Sequence, residues 1–253
     1  MSRKLKILLG QVALTAAMLV GLQLLVDAGE VSRLIVSPPS SVFVRLVQDF
    51  GSPELWTSVL TTVREVVAAL TISVILGMAL GYILYRFSIF RRAVEPWLIA
   101  FYSAPAMLMY PVVVSFVGQG SASVVVMAVI LGTIPIAINV TVGFRSLEPI
   151  WLKVGRSMMA TRPQMLFKIL LPASVPIVAT GLRLGMTFAL IGVISLEFLT
   201  YSGGLGKLIS WRYFTFDTDG VYAAVVLVAV IAILINAALN HGHQRMIVRW
   251  TKN

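Results

Sequence analysis

The sequence predicts an all-α polytopic membrane protein with about six transmembrane helices, and three observations lead to it. Of the 253 residues, 58% are hydrophobic and 12% charged, against a charged share of about 25% in soluble domains. Residues 7–26, 66–85, 96–144 and 220–240 contain no Asp, Glu, Lys or Arg, and 173–199 is interrupted only by Arg183 and Glu197. About 20 apolar residues cross a bilayer as a helix, so 96–144 suffices for two crossings around the turn Gly118-Gln119-Gly120-Ser121. Third, no period-two alternation runs through these stretches. That leaves helices, whose backbone groups satisfy one another in hydrocarbon, rather than a barrel. The whole chain, 1–253, reads as one transmembrane domain.

The first run follows Ser2-Arg3-Lys4-Leu5-Lys6 and exceeds the 7–15 apolar residues of a signal core, so a retained first helix is expected. An external segment over 27–57 is broken by Ser37-Pro38-Pro39-Ser40, with a short surface helix over 41–50 ending at Gly51. The second helix, 59–85, carries Gly77 and Gly81 at the spacing that lets helix backbones approach closely. In the third, 93–117, Pro96, Pro105 and Pro111 each delete a backbone donor. An irregular helix bordering protein or a water-filled path is expected there, with ordinary kinked packing as the alternative. Tyr102, Ser103, Met107 and Tyr110 lie among these prolines. The fourth helix, 124–144, holds Pro135 and Asn139. In the fifth, 173–199, Gly181 and Gly185 repeat the close-packing spacing. Arg183 and Glu197 are separated there by about 21 Å of helix and are expected to pair structurally with neighbouring helices. The sixth covers 220–240.

Between the fourth and fifth helices lies the longest basic interval, about 148–172, with Arg156, Arg162 and Lys168. Two short helices are expected there, over 151–158 and from Arg162 to about Leu170, with a turn near Met159-Ala160. Thr161 and Gln164 have capping-box spacing, and Pro163 falls in the first turn, where its missing N–H costs nothing. The second helix is expected to stop at Leu171-Pro172. The result is a compact knob below the membrane; an amphipathic helix lying on lipid headgroups is the alternative.

Cytoplasmic loops hold the Lys/Arg excess. Placing both termini inside puts Arg3, Lys4, Lys6, Arg86, Arg91, Arg92, Arg145, Lys153, Arg156, Arg162, Lys168, Arg245, Arg249 and Lys252 on the inner face. Arg33, Arg45, Lys207 and Arg212 then lie outside with Asp27, Glu30, Asp49, Glu54, Asp217 and Asp219, and Arg64 near a boundary. The net charge of +10 thus reflects orientation and lipid contact, not nucleic acid. No cysteine is present, which removes disulfides, thiolate ligands and cysteine catalysis. Tyr201-Ser202-Gly203-Gly204-Leu205-Gly206-Lys207 is not a Walker A loop, since Tyr201 and Leu208 replace its first glycine and its Ser/Thr; a flexible external loop is expected. His241-Gly242-His243 reads as a solvated tail and no metal site is expected. Zincin and hydrolase motifs are missing, so no catalytic role is assigned. A stand-alone secondary transporter or channel would need intramembrane charges or an internal repeat, and neither is evident.

The interval 148–172 resembles the cytoplasmic loop of binding-protein-dependent ABC importer permeases, whose pattern is E-A-A-x3-G-x9-I-x-L-P. Ile169 and Leu171-Pro172 match; Lys153-Val154-Gly155 replaces E-A-A, and Met159 takes the glycine position. The resemblance extends over nearly the whole chain towards the nitrate/sulfonate/taurine-type branch. It rests on Ser37-Pro38-Pro39-Ser40, Ser103-Ala104-Pro105, Tyr110-Pro111, Phe116-Val117-Gly118-Gln119-Gly120, Leu171-Pro172-Ala173-Ser174-Val175-Pro176, Gly181-Leu182-Arg183-Leu184, Glu197-Phe198-Leu199 and Gly204-Leu205-Gly206-Lys207-Leu208-Ile209. It implies a multi-pass permease of the bacterial cytoplasmic (inner) membrane. The implied partners are a cytoplasmic ABC ATPase dimer, a second permease subunit (identical or homologous) and an external solute-binding protein, besides membrane lipid. A non-identical sister carrying the standard glycine loop is expected. The coupling helix would present Lys153, Arg156, Ser157, Met159, Ala160, Thr161, Arg162 and Phe167 to the ATPase. Tyr102, Ser103, Met107, Tyr110, Asn139 and Thr187 are the candidates for the translocation path, and no cofactor is implied.

Overall fold

Three long helices laid side by side carry the architecture of the computed structural model. Residues 3–103 and 106–251 are described, with side chains omitted at 3–6, 8, 103, 106, 107, 236 and 238–251. Helix α1 spans Arg3–Asp27, α2 Pro39–Phe50, α3 Pro53–Arg86, α4 Ser88–Ser103, α5 Tyr110–Val117 and α6 Ser121–Arg145. Then come α7 Pro149–Ser157, α8 Arg162–Met165, α9 Leu171–Thr200, α10 Gly204–Phe214 and α11 Thr218–Thr251. No strand occurs among the described residues.

Among the described residues, five helices are long and apolar enough to cross a membrane: α1, α3, α6, the continuous Arg162–Thr200 and α11. The expected third crossing is divided. Helix α4 ends at Ser103, a 3₁₀ turn covers Ala106–Met109, and α5 restarts at Tyr110. Pro111 sits in the first turn of α5, where a missing donor is harmless, so this proline starts a helix rather than kinking one. Pro96 is inside α4; Pro105 lies outside the described residues.

The core is the stack of α3, α6 and α9, and α6 fills its centre. A Cβ on Gly77 would stand 2.6 Å from Ile136 Cβ, and one on Gly81 2.6 Å from Val140 Cβ. From the other side Gly185 presses on Ile136 and on the Gly132 carbonyl, and Gly181 on Asn139. Ile136, fully buried, is therefore held between glycines of two different helices. Both Gly-x-x-x-Gly pairs pack as the spacing predicts. Towards Arg145, Phe144 meets Tyr82 and Tyr85 edge-on, with ring centroids 6.4 and 5.5 Å away. Helix α1 is different. It is almost wholly exposed along its length, and its main packing is against α2.

Two further expectations are corrected. The chain does not stop at Leu171-Pro172: α8 passes through a π-helical turn, Leu166–Leu170, directly into α9. There the Leu171 N–H reaches back to the Leu166 carbonyl, and this one-residue slip brings Pro172 into the first turn of α9. The stretch from Tyr201 is not a flexible loop either. After Gly203 it forms α10, packed on α3 and α9 with Gly204, Leu205, Gly206 and Leu208 buried.

Gly185→Ala should lower stability by about 1–3 kcal/mol, because the Gly132 carbonyl, 2.6 Å from the new Cβ, is backbone and cannot turn aside. Gly10→Ala, with nothing within 4 Å, should leave the melting temperature in detergent unchanged or raised. Equal melting temperatures for the two variants would contradict this packing.

Candidate functional site

At the end of the bundle where α3 and α6 finish, α7 and α8 fold back as the predicted knob. Gly155 makes this possible: it is buried, and a Cβ there would stand 2.5 Å from Ile169 Cδ1 and 2.7 Å from Met165 Cε. The turn after α7 is closed by Met159 N–H to Arg156 O (2.9 Å) and Ala160 N–H to Gly155 O (3.0 Å). This is a Schellman arrangement, and it places Met159 in the left-handed region at φ +52°, where glycine is the residue without a steric cost. The capping box is also in place, with Thr161 N–H donating to Gln164 Oε1 at 2.8 Å. Met158, Met159 (91% exposed) and Phe167 project outward. Lys153, Arg156, Ser157, Thr161 and Arg162 are exposed beside them, while Ala160 is half-buried. The knob is thus apolar at its tip, basic around it, and fastened at every backbone turn.

The described path candidates lie at several places along the bundle. Tyr102 of α4 lies against Phe188 of α9, ring centroids 5.2 Å apart. The Thr187 hydroxyl donates to Arg183 O at 3.0 Å. Tyr110 is buried, its hydroxyl 3.0 Å from Ser123 Oγ. Asn139 packs under Gly181 and donates to Pro135 O at 2.8 Å. The side chains of Ser103 and Met107 lie outside the described residues, as do those of His241 and His243.

At the opposite end, sequence reasoning missed a polar knot. Glu197 is completely buried and accepts from the Thr62 hydroxyl (2.8 and 2.9 Å) and from Gly206 N–H (2.9 Å). Leu205 N–H in turn donates to Thr62 Oγ1 at 2.8 Å. A carboxyl group from α9 and a hydroxyl from α3 therefore satisfy the free N–H groups at the start of α10. Gly204 and Gly206 leave room for the Glu197 side chain. Glu65, also buried, turns towards Glu197 and Ser121 without a well-formed hydrogen bond. Its signal in sequence was its place three residues after Thr62, on the same helix face as the uncharged run begins. Nearby, Arg212 grips Asp49 with two bonds of 2.6 and 2.8 Å and donates to Gly220 O (2.9 Å). Arg45 reaches Asp217 at 2.7 Å, and Ser37 bonds Asp219. The expected structural pairing holds for Glu197. Arg183 is exposed and makes no ion pair among the described residues.

A bundle of membrane-length helices with a closely tied, exposed knob at one end is the architecture of a polytopic membrane protein. Residues 73–248 match the family described as binding-protein-dependent transport system inner membrane component, and the chain belongs to that family. It is the permease component of an ABC importer and a multi-pass inner-membrane protein. The taurine transport system permease protein TauC of Escherichia coli (strain K12) is 25% identical over 87% of this chain and 82% of its own length. The formylaminopyrimidine transport permease protein ThiX of Halalkalibacterium halodurans is 27% identical over 87% and 90%. Among solved structures, a bacterial ABC transporter involved in import of the acidic polysaccharide alginate superposes with a TM-score of 0.70 at 17% identity, covering 96% of this chain and 99% of that one. The MetNI methionine ABC transporter in an inward-facing conformation gives 0.68 at 21% identity, covering 76% and 96%.

Thr62→Val should cost about 1–3 kcal/mol, the penalty for leaving the buried Leu205 N–H without an acceptor, and Thr62→Ser should restore most of it; thermal unfolding in detergent checks both. Met159→Gly should have the opposite sign, stabilising the knob by roughly 1 kcal/mol. Slower hydrogen exchange at residues 155–165 is the readout, and unchanged exchange would refute the strain at Met159.

Proposed function

We propose that this permease forms, with a second permease subunit, the translocation path for a small solute delivered by an external binding protein, and that the knob at 148–172 is the lever moved by a cytoplasmic ATPase dimer. One observation carries the reading. The knob is not hinged at Pro172; it runs without a break through the π-helical turn into α9, and α9 packs against α6 along the glycine seam. A push on Met158, Met159 and Phe167 is thereby delivered to the bundle core. Arg156, Arg162 and Lys153 supply the charge around that tip, and Ser157, Ala160 and Thr161 its closed turn.

Six crossings and internal termini follow if the divided element α4–α5 completes one passage. The contacts support that orientation. Arg45, Arg212, Asp49 and Asp217, all assigned outside by charge bias, meet in one network. Arg86, Arg156 and Arg162, all assigned inside, line one cavity. The bare surface of α1 suits a membrane helix whose partner is another subunit. With the whole chain acting as one permease domain, Tyr102, Ser103, Met107, Tyr110, Asn139 and Thr187 would border the path. Their neutral side chains fit a small organic anion or an aromatic, vitamin-like solute.

The test is reconstitution with the cognate ATPase. Phe167→Ala should lower uptake by about tenfold, as loss of an anchor worth over 1 kcal/mol does at an interface, while membrane insertion stays intact. Arg156→Ala should weaken ATPase co-purification. Wild-type uptake in both variants would remove the knob from the coupling route.

A further inference from the structure

The inner end of α3 and the knob enclose a cavity of about 460 Å³, within the roughly 300–1,000 Å³ usual for small-ligand sites. Its wall contains Arg86, Arg156 and Arg162 together with Tyr82, Tyr85 and Leu170. None of the three arginines forms an ion pair among the described residues, where the ion pairs engage Arg33, Arg45, Arg91 and Arg212. Arg86 merely lies over the Phe87 ring, 5.6 Å from its centroid. Three guanidiniums facing one space repel each other unless an anion sits among them, and a guanidinium fork matches phosphate oxygens two at a time.

The surroundings narrow the chemistry. Arg86 closes the long apolar run of α3, so the cavity opens at the depth where hydrocarbon gives way to headgroups. Tyrosines are enriched at that depth, and basic pockets between membrane helices take anionic headgroups. Leu170 adds an apolar wall, and Ile83, one turn before Phe87, is exposed. We infer that this cavity is a binding site for a phosphate anion, supplied by an anionic phospholipid headgroup, that braces the end of α3 against the knob. The inference deepens the lever reading, since the knob it stiffens is the one proposed to meet the ATPase. The arginine-phosphate contact itself does not depend on that reading.

Native mass spectrometry of the purified chain, taken from vesicles of phosphatidylglycerol and phosphatidylcholine in equal amounts, tests it. Phosphatidylglycerol should be retained preferentially. Arg86→Gln, outside the residues assigned to ATPase coupling, should reduce that retention by about fivefold. The triple variant Arg86→Gln, Arg156→Gln, Arg162→Gln should abolish the preference, and Arg92→Gln, whose side chain does not line the cavity, should keep it. Adding inorganic phosphate separates the two sources of the anion. Retained phosphatidylglycerol supports the lipid, and its displacement supports a soluble phosphate in the same site. A second measurement needs no variant: phosphatidylglycerol, but not phosphatidylcholine, should slow modification of these arginines by phenylglyoxal. Equal lipid retention by the wild-type and triple-variant chains would overturn the site. So would loss of ATPase co-purification in Arg86→Gln with lipid retention unchanged, because the arginines would then serve acidic side chains of the ATPase. Failure of the coupling variants to affect uptake leaves these lipid readouts untouched, so the two proposals fail separately.

Discussion

Backbone-to-backbone proximity between α3, α6 and α9 is the constraint on which the molecule depends. In a bilayer, burial of apolar side chains gives helices little reason to associate, because lipid tails are equally apolar; close van der Waals contact has to do it. Glycine at 77, 81, 132, 181 and 185 makes that contact available, and Ile136, Asn139 and Val140 fill the space it opens. Everything functional is attached to this slab. The knob extends α9, the polar knot closes the far end of α3 and α9, and α2 and α10 are tied to the knot by Asp49 and Arg212.

The two ends of the slab solve one problem in two ways. Free N–H groups at a helix start need acceptors. At α8 the acceptor is local, Gln164 of the same turn. At α10 it is remote: Glu197 and Thr62 come from helices far away in sequence. A local solution makes an element that keeps its shape while it moves. A remote one makes an element whose shape depends on its neighbours staying in place. The contrast suits a knob that transmits force and an opposite end that stays fastened.

What could be read from sequence followed from periodicity and short-range chemistry. Uncharged runs placed the long helices, Gly-x-x-x-Gly spacing placed their contacts, and Thr161 with Gln164 placed the start of α8. Misreadings arose where a local rule met a tertiary one. Pro172 reads as a stop, yet a π-helical turn one step earlier absorbs it. Three prolines between 96 and 111 read as kinks in one helix, yet Pro111 opens a new one. Gly204 and Gly206 read as flexibility, whereas they are small so that Glu197 can sit against them. Glu65 went unnoticed because a single acid at the edge of an apolar run looks like a boundary marker until the helix opposite supplies its neighbour.

The dependence of α10 on two distant residues has a consequence in time. Residues 204–214 have no complete first turn until the helices bearing positions 62 and 197 lie side by side, so this piece is seated after that match is made. A chain leaving its insertion machinery with a mispaired α3 and α9 would present a frayed, polar segment where a finished one belongs. Seating of α10 is thus tied to the pairing of two helices that lie far apart in the chain.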